Sequence, residues 1–330
     1  MIEYQTCKNL RLQETFSIVI HLDGVTMRNP ILRVLCRHCA FLTMCLLGFS
    51  APTVASYDAS APMSTASNGD VDIAYRVVGD PQAEPILIIM GLSASHRVWN
   101  PQLITGLADG GYRVVLLDNR DVGESSKIEK KGRLWLAWQL LKYRIGLRVK
   151  SPYALSDMAV DAVAVLDALG IERAHVIGAS MGGMIGQIVA YDFPQRTQSL
   201  VSIMSTTWAP HLPQPGRAQQ DGISEMNESS EEQAADLQKL GFYPSALPNQ
   251  VTAILSAGDR TARVAQISAP TLVLHGADDQ LLSVEHGEHT AQTIKDAQFK
   301  VYENMGHNLP DPIIPQMVND MLAHLRANPI

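Results

Sequence analysis

One serine in this sequence, which lies between two glycines, is the best candidate for a nucleophile. Ser180 lies in Gly-Ala-Ser-Met-Gly, with Gly178 two residues before it and Gly182 two residues after it, between an apolar run and an amphipathic segment. A tight turn from a strand into a helix strains the serine backbone and leaves no room for side chains at the glycine positions. The pattern predicts that Ser180 is a nucleophile at a helix N-terminus, where free N–H groups stabilise an oxyanion. A glycine-rich helix entry in any α/β protein would look the same, so other residues must decide.

A serine nucleophile needs a general base, and the base needs a carboxylate to orient it. His307 follows a glycine and a strand-like segment late in the chain, while Asp278 and Asp279 follow the strand-like segment 271–275. Both groups come at C-terminal ends of predicted parallel strands, where open α/β sheets bind their ligands. The residues predict that His307 is the base for Ser180, and they leave both aspartates as candidates for the acid.

Four motifs in a fixed order make residues 65–326 resemble the α/β-hydrolase superfamily. They lie at 118–125, 178–183, 275–279 and 305–307. These motifs are most similar to those of the serine esterase branch that contains aclacinomycin methylesterase. The resemblance implies the α/β-hydrolase fold: a mostly parallel, eight-stranded sheet with helices on both faces and an inserted helical cap or lid. It also implies chemistry without a cofactor or a metal.

The resemblance further assigns roles to single residues. In the family the catalytic carboxylate usually lies three residues after the glycine, which favours Asp279 over Asp278 and makes the latter a solvated or turn-stabilising neighbour. The backbone N–H groups of Leu92 and Met181 would form the oxyanion hole.

Two positions depart from the family pattern. Asp121 stands where most relatives carry glycine, and Met90 stands where a histidine usually precedes Gly91. The second departure removes a family histidine from the neighbourhood of the oxyanion hole, but it does not affect the hole itself, whose donors are backbone groups. Arg120 could contact an anion, although in relatives it mainly braces loops.

These residues together predict hydrolysis of a small-molecule carboxylic ester. Ser180 would attack the carbonyl carbon, His307 would transfer protons and Asp279 would hold the imidazolium. A cofactor-free perhydrolase (haloperoxidase) or a lactonase would keep the same three residues. A non-catalytic protein of the same fold that only binds a ligand is the alternative from another functional class. Such a protein would not need all three residues.

Strand-like and helical patterns alternate from about residue 68, which predicts a mostly parallel sheet covered on both faces. The predicted strands are 73–78, 85–90, 113–118, 174–179, 199–204, 271–275 and 299–303. The predicted helices include one that starts after an N-cap at Ser156, one over 181–192 and one over 314–325.

Residues 206–268 interrupt this alternation. They lack a strand pattern and are rich in Gln, Ser, Glu and Pro, so they are predicted to form a cap or lid inserted in the catalytic domain. Six apolar side chains of this segment are candidates for contacts with an acyl chain: Trp208, Leu212, Leu240, Phe242, Tyr243 and Leu247.

Further histidines need an interpretation. His286 and His289, flanked by glutamates, suggest a metal site, but the His-Glu-x-x-His spacing is absent and a surface helix is the simpler prediction. His275 is predicted to be structural at a strand end. No metal site is expected.

Composition and charge exclude some classes of partner. The chain is 46% hydrophobic and 18% charged, which is typical of a globular protein with a substantial core. A formal net charge of −7 argues against a nucleic-acid partner. Residues 127–150 are a local exception, because they hold eight basic residues and one acid, Glu129, interleaved with Trp135 and Trp138. They could touch a membrane, but a solvated basic face near the active site is the simpler interpretation.

Residues 1–55 are predicted to be an N-terminal extension that ends in a signal peptide. From Met27 onward, basic residues, the apolar run 40–49 and small residues up to Ala55 follow in the order of a secretory signal peptide. We therefore expect translation to start at Met27, cleavage near Ala55, and a periplasmic or secreted protein without stable membrane insertion after processing. An uncleaved N-terminal membrane anchor is the alternative, and the oligomeric state is left open.

Overall fold

The computed structural model describes residues 57–129 and 131–330. The predicted signal peptide, with its start at Met27 and its cleavage site near Ala55, lies outside the described residues. Within the described ranges, none of the helices is long and apolar enough to cross a membrane.

A single sheet of eight strands runs through the described chain, in the order β1-β2-β4-β3-β5-β6-β7-β8. Strand β2 pairs antiparallel with β1 and with β4, and all other neighbours are parallel. The strands are β1 (Ser64–Asn68), β2 (Val71–Val78), β3 (Glu84–Ile89), β4 (Tyr112–Leu117), β5 (Ala174–Ala179), β6 (Thr197–Ile203), β7 (Thr271–Gly276) and β8 (Gln298–Tyr302). This confirms the predicted α/β-hydrolase fold class.

Helices cover both faces of the sheet. They are α1 (Pro101–Asp109), α2 (Arg133–Arg144), α3 (Leu155–Ala168), α4 (Met181–Asp192), α5 (Arg217–Asn227), α6 (Glu231–Lys239), α7 (Leu247–Ala257), α8 (Thr261–Val264), α9 (Val284–Thr293) and α10 (Ile314–Arg326). One core forms where α3 and α4 pack on the sheet, with Leu166 and Ile188 buried. The other forms under α1 and α10, with Leu107 and Met321 buried. Because the central strands lie between two apolar layers, every residue of β5 and β7 is buried.

Helices α5 to α8 all belong to the connection from β6 to β7, and no strand interrupts them in this fully described stretch. The connection therefore lacks strands, as the sequence pattern predicted for residues 206–268, and is helical, as the resemblance implied.

The predicted start of helix α3 is wrong. The helix begins at Leu155 with Ala154 as its N-cap, so Ser156 lies inside the first turn. The carboxylate of Asp157 reaches back and accepts the N–H of Ala154 at 2.8 Å. A carboxylate that binds a free N–H at the positive end of the helix replaces the serine cap that we expected.

Candidate active site

Ser180 occupies the turn between β5 and α4 in a strained conformation, with φ of 55° and ψ of −121°. Its N–H donates to the carbonyl of Ile203 at 2.9 Å, and the hydroxyl of Ser205 donates to its carbonyl at 2.8 Å. A Cβ at Gly178 would collide with the carbonyl of Gly182, and a Cβ at Gly182 would collide with the carbonyl of Ile89. The two glycines thus let the turn pack closely enough to present the serine.

The structure brings the three predicted catalytic side chains together in one row. Nε2 of His307 lies 2.9 Å from Oγ of Ser180, and Nδ1 lies 2.7 Å from Oδ2 of Asp279. Asp279 follows β7 and His307 follows β8, so adjacent strand ends carry them. The Asp279 side chain is fully buried, while that of His307 is 18% exposed. One nitrogen of the imidazole can therefore face the serine while the other is held by the carboxylate.

Asp279 is held in its ionised form by its hydrogen bonds. Its Oδ1 accepts the N–H groups of Leu281 and Leu282, each at 2.9 Å. Burial opposes ionisation, but hydrogen bonds from His275 and His307 outweigh it and hold the pKa of Asp279 well below its usual range. A buried carboxylate that stays charged at neutral pH can stabilise a neighbouring imidazolium.

Asp278 lies apart from this row. Its side chain is exposed, and its backbone N–H donates to the carbonyl of Met305 at 3.0 Å. The position fits the solvated neighbour that the resemblance implied.

His275 contacts the same carboxylate oxygen of Asp279 that pairs with His307. Its Nε2 lies 2.7 Å from the carbonyl oxygen of Leu282 and 3.4 Å from Oδ2 of Asp279. A proton on Nε2 is therefore shared between the loop carbonyl and the carboxylate. The sequence indicated a structural histidine at a strand end, and the structure adds this contact with Asp279.

The loop after β3 runs beside the serine. A Cβ built at Gly91 would lie 3.0 Å from Cβ of Ser180, so a larger residue there would crowd the serine. Among the described residues, the N–H groups of Leu92 and Met181 have no hydrogen-bond acceptor. The first N–H groups of a helix have no partner within the helix, which applies to Met181. Both donors are therefore available to an external oxygen atom.

The cap forms hydrogen bonds with this same loop. The N–H of Ser95 donates to the carbonyl of Gly241 at 2.9 Å, and the N–H of Tyr243 donates to the carbonyl of Ser93 at 2.7 Å. Oε1 of Gln250, in helix α7, accepts the N–H of Ser93 at 2.6 Å. Gln250 was missed in the sequence, because a polar residue in a helix gives no signal of a contact so distant along the chain.

Arg120, in the 118–125 motif, pairs with a carboxylate of the same chain. Nε and Nη2 of Arg120 each donate to a carboxylate oxygen of buried Asp161, at 2.7 Å. Arg120 is thus engaged with a protein carboxylate, which supports loop bracing rather than an anion contact.

Asp121, the departure from the family, connects three segments. Its Oδ2 accepts the hydroxyl of Tyr153 at 2.6 Å and the amide of Asn249 at 3.0 Å, and its Oδ1 accepts the N–H of Ile128 at 2.6 Å. Its φ of 74° lies in the left-handed region, which explains why glycine suits this position in relatives.

His286 and His289 lie on helix α9, as the sequence predicted, but the side chain of His286 is on the inner face of that helix. It is 3% exposed, because Nδ1 pairs with Oγ1 of Thr206 at 2.7 Å and Nε2 pairs with the carbonyl of Pro213 at 2.9 Å. Both ring nitrogens have partners in the cap segment, so helix α9 packs against it. No group of three or more His, Cys, Asp or Glu side chains in the described part of the chain could hold a metal ion.

Comparisons with known proteins agree with this architecture. A family model described as alpha/beta hydrolase fold matches residues 84–228, and one described as serine aminopeptidase, S33, matches residues 194–311. Rhodomycin D methylesterase DauP of Streptomyces sp. (strain C5) is 27% identical over 312 residues, covering 81% of this chain and 99% of the relative. Rhodomycin D methylesterase DnrP of Streptomyces peucetius is 24% identical with the same coverage. The crystal structure of the esterase RhEst1 from Rhodococcus sp. ECU1013 matches with a TM-score of 0.62 at 22% identity, over 82% of this chain and 100% of that one.

Proposed function

This chain belongs to the α/β-hydrolase superfamily, and on that basis we propose that it hydrolyses small-molecule carboxylic esters through a serine acyl-enzyme. The observation that carries the proposal is the contact of 2.9 Å between Oγ of Ser180 and Nε2 of His307, with Asp279 at the other ring nitrogen.

In the first half of the proposed reaction, Ser180 attacks the ester carbonyl while His307 accepts the hydroxyl proton. Asp279 stays ionised and stabilises the imidazolium that forms. The oxyanion is received by the N–H groups of Leu92 and Met181, and each such donor typically contributes about 3–4 kcal/mol in the transition state. His307 then gives its proton to the departing alcohol, and the acyl group remains on the serine.

In the second half, water takes the place of the alcohol. His307 removes a proton from the water, the resulting hydroxide attacks the acyl carbon, and Ser180 leaves with the proton returned by the imidazolium. The carboxylic acid is released and the enzyme is restored. As proposed, the cycle uses no cofactor, since water and the three side chains complete it.

Two observations bear on the substrate. Two of the curated relatives are named methylesterases, which favours an ester with a small alcohol part. Trp208, Ala209, Pro210 and residues 213–215 of the cap, together with Tyr143 and His286, line a cavity of about 220 Å³. We propose that the cap selects the acyl part, with Trp208 as a lining residue, whereas Leu240 is 66% exposed and does not contribute.

The test is a screen of p-nitrophenyl esters from acetate to decanoate with the purified protein. The Ser180→Ala variant is the blank, and Ser224→Ala, an exposed serine in α5, is the matched control. We expect turnover by the native chain and by the control, and none above background by the blank. The proposal would be contradicted if the folded native chain turned over no ester. It would also be contradicted if the Ser180→Ala blank turned over ester as fast as the native chain. Faster turnover of lactones, or of carboxylic acids with peroxide, would instead assign the site to the lactonase or perhydrolase alternative.

A further inference from the structure

Helix α2 carries large apolar side chains on the side that faces solvent. Leu136 and Gln139 face the protein and are buried. On the solvent side, Leu134, Trp138 and Ile145 are 89%, 56% and 59% exposed, and Leu141 is 47% exposed. These four residues, which we name the α2 stripe, follow each other at intervals of four, three and four, so they lie on one face of the helix and its last turn.

The stripe is where exposed apolar side chains concentrate. Of the eleven large hydrophobic residues that are exposed in the described part of the chain, seven lie between residues 134 and 147. Single exposed apolar residues are ordinary, but a contiguous patch usually marks a contact with another body.

The surroundings of the stripe are basic. Arg133, Lys142, Arg144, Arg148 and Lys150 lie in or next to the helix, and the sequence has no acid from residue 131 to residue 150. Within the described residues, Arg133, Arg144 and Arg148 form no ion pair, and Lys142 bonds only to the neutral amide oxygen of Gln139. These cations are therefore free to meet negative charge from outside, on a chain whose net charge is −7.

We propose that helix α2 and the loop to Arg148 form a docking surface for an anionic lipid bilayer. An interfacial helix of this kind lies in the membrane plane, with apolar side chains at the headgroup boundary and Lys and Arg on lipid phosphates. Trp138 and Tyr143 are residue types that favour this boundary. A second copy of the chain fits less well, because a symmetric contact through the stripe would bring two basic faces together.

Docking at this surface would bring the cap to the bilayer. The indole Nε1 of Trp208 donates to the hydroxyl of Tyr143 at 3.0 Å, which ties the cap segment after β6 to helix α2. The docking surface does not depend on the proposed ester hydrolysis, and it is tested by binding alone.

The first experiment measures flotation of the full-length chain with vesicles of phosphatidylcholine alone or with phosphatidylglycerol added, at low and high salt. One variant combines Leu134→Gln, Trp138→Gln and Ile145→Gln, and a second combines Arg144→Gln with Arg148→Gln. The matched control combines Leu240→Gln with Val301→Gln, two exposed apolar positions outside the stripe. We expect the native chain to bind the anionic vesicles in a salt-sensitive way, and the control to bind equally well. Loss of the two arginines should weaken binding roughly 10- to 30-fold.

The second experiment locates the contact. Hydrogen exchange over residues 133–147 should slow when anionic vesicles are added, and this readout is independent of any binding through the first 56 residues. Exchange that is unchanged in this segment, or flotation that is unaffected by both α2 variants, would overturn the proposal. A concentration-dependent dimer that the stripe variant abolishes would overturn it in favour of a second copy.

Discussion

The side-chain oxygen of Gln250 accepts the backbone N–H of Ser93 at 2.6 Å, and its amide nitrogen donates to the carbonyl of Arg120 at 3.0 Å. A residue of cap helix α7 thereby bridges the loop that carries Leu92 and the loop that follows β4. Ser93 has a φ of 59°, a conformation that needs support from its surroundings. The cap therefore helps to hold the backbone of the proposed oxyanion hole.

Replacing Gln250 by alanine should slow catalysis more than it weakens substrate binding. Without the amide, the N–H of Ser93 loses its acceptor and the neighbouring Leu92 donor is positioned less well. We expect kcat to fall roughly tenfold, less than the loss of a whole oxyanion donor, with little change in KM. Gln266→Ala, at an exposed cap residue, is the control. Unchanged kcat, or a rise in KM alone, would show that the bridge does not position the loop.

Exchanging each of the two adjacent aspartates for asparagine should separate their roles. Asp279→Asn removes the charge that orients His307, so ester hydrolysis should fall roughly 10²- to 10⁴-fold. Asp278→Asn changes an exposed side chain and should cost less than about fivefold. The ratio of the two kcat/KM values is the measurement, and a deeper loss in Asp278→Asn would mean that the acid is wrongly assigned.

The ionised Asp279 should also contribute to stability in a defined pH range. Its pKa is lower in the folded chain than the value of about 3.9 expected in the unfolded chain, so its contribution is present above that value. The contribution should be lost as pH falls below about 4, through the lower folded pKa. Urea unfolding of the native chain and of Asp279→Asn at pH 7, 5 and 3 measures this. The native advantage should shrink only at the lowest pH, and an advantage that is the same at all three pH values would contradict the assignment.

Restoring the family glycine at position 121 should destabilise this chain. Asp121→Gly relieves a left-handed backbone, but it leaves the hydroxyl of Tyr153 without its acceptor and the amide of Asn249 with only the carbonyl of Glu129. Buried donors that lose a partner cost about 1–3 kcal/mol, so the free energy of unfolding should fall by about 1–2 kcal/mol after the relief of strain. In a Tyr153→Phe background the same change should cost less. A stabilised Asp121→Gly protein would show that strain outweighs the hydrogen bonds.

Much of the fold and of the site could be predicted because the signals are local. Apolar runs marked β3 to β7, and the glycines around Ser180 reflect a turn whose geometry excludes side chains at those positions. Strand β1 was missed, since Ser64–Asn68 is a short, polar edge segment without alternation.

The remaining features depend on contacts between distant parts of the chain. The helix that carries His286 could be predicted, but the burial of this side chain could not, because its partners, Thr206 and Pro213, are remote in sequence. Gln250 had no pattern of its own for the same reason. Tertiary hydrogen bonds of this kind leave no periodicity in a single sequence.

The central claim is that Oγ of Ser180 is the nucleophile and that His307 activates it. The most direct measurement is the site and rate of modification by a small organophosphate, followed by mass spectrometry of peptides. We predict one adduct per chain, on the peptide that contains Ser180, with ester hydrolysis lost in proportion to the adduct. Labelling should be at least roughly 100-fold slower in His307→Ala. An adduct on another residue, or full ester hydrolysis by a chain whose Ser180 carries the adduct, would contradict the claim.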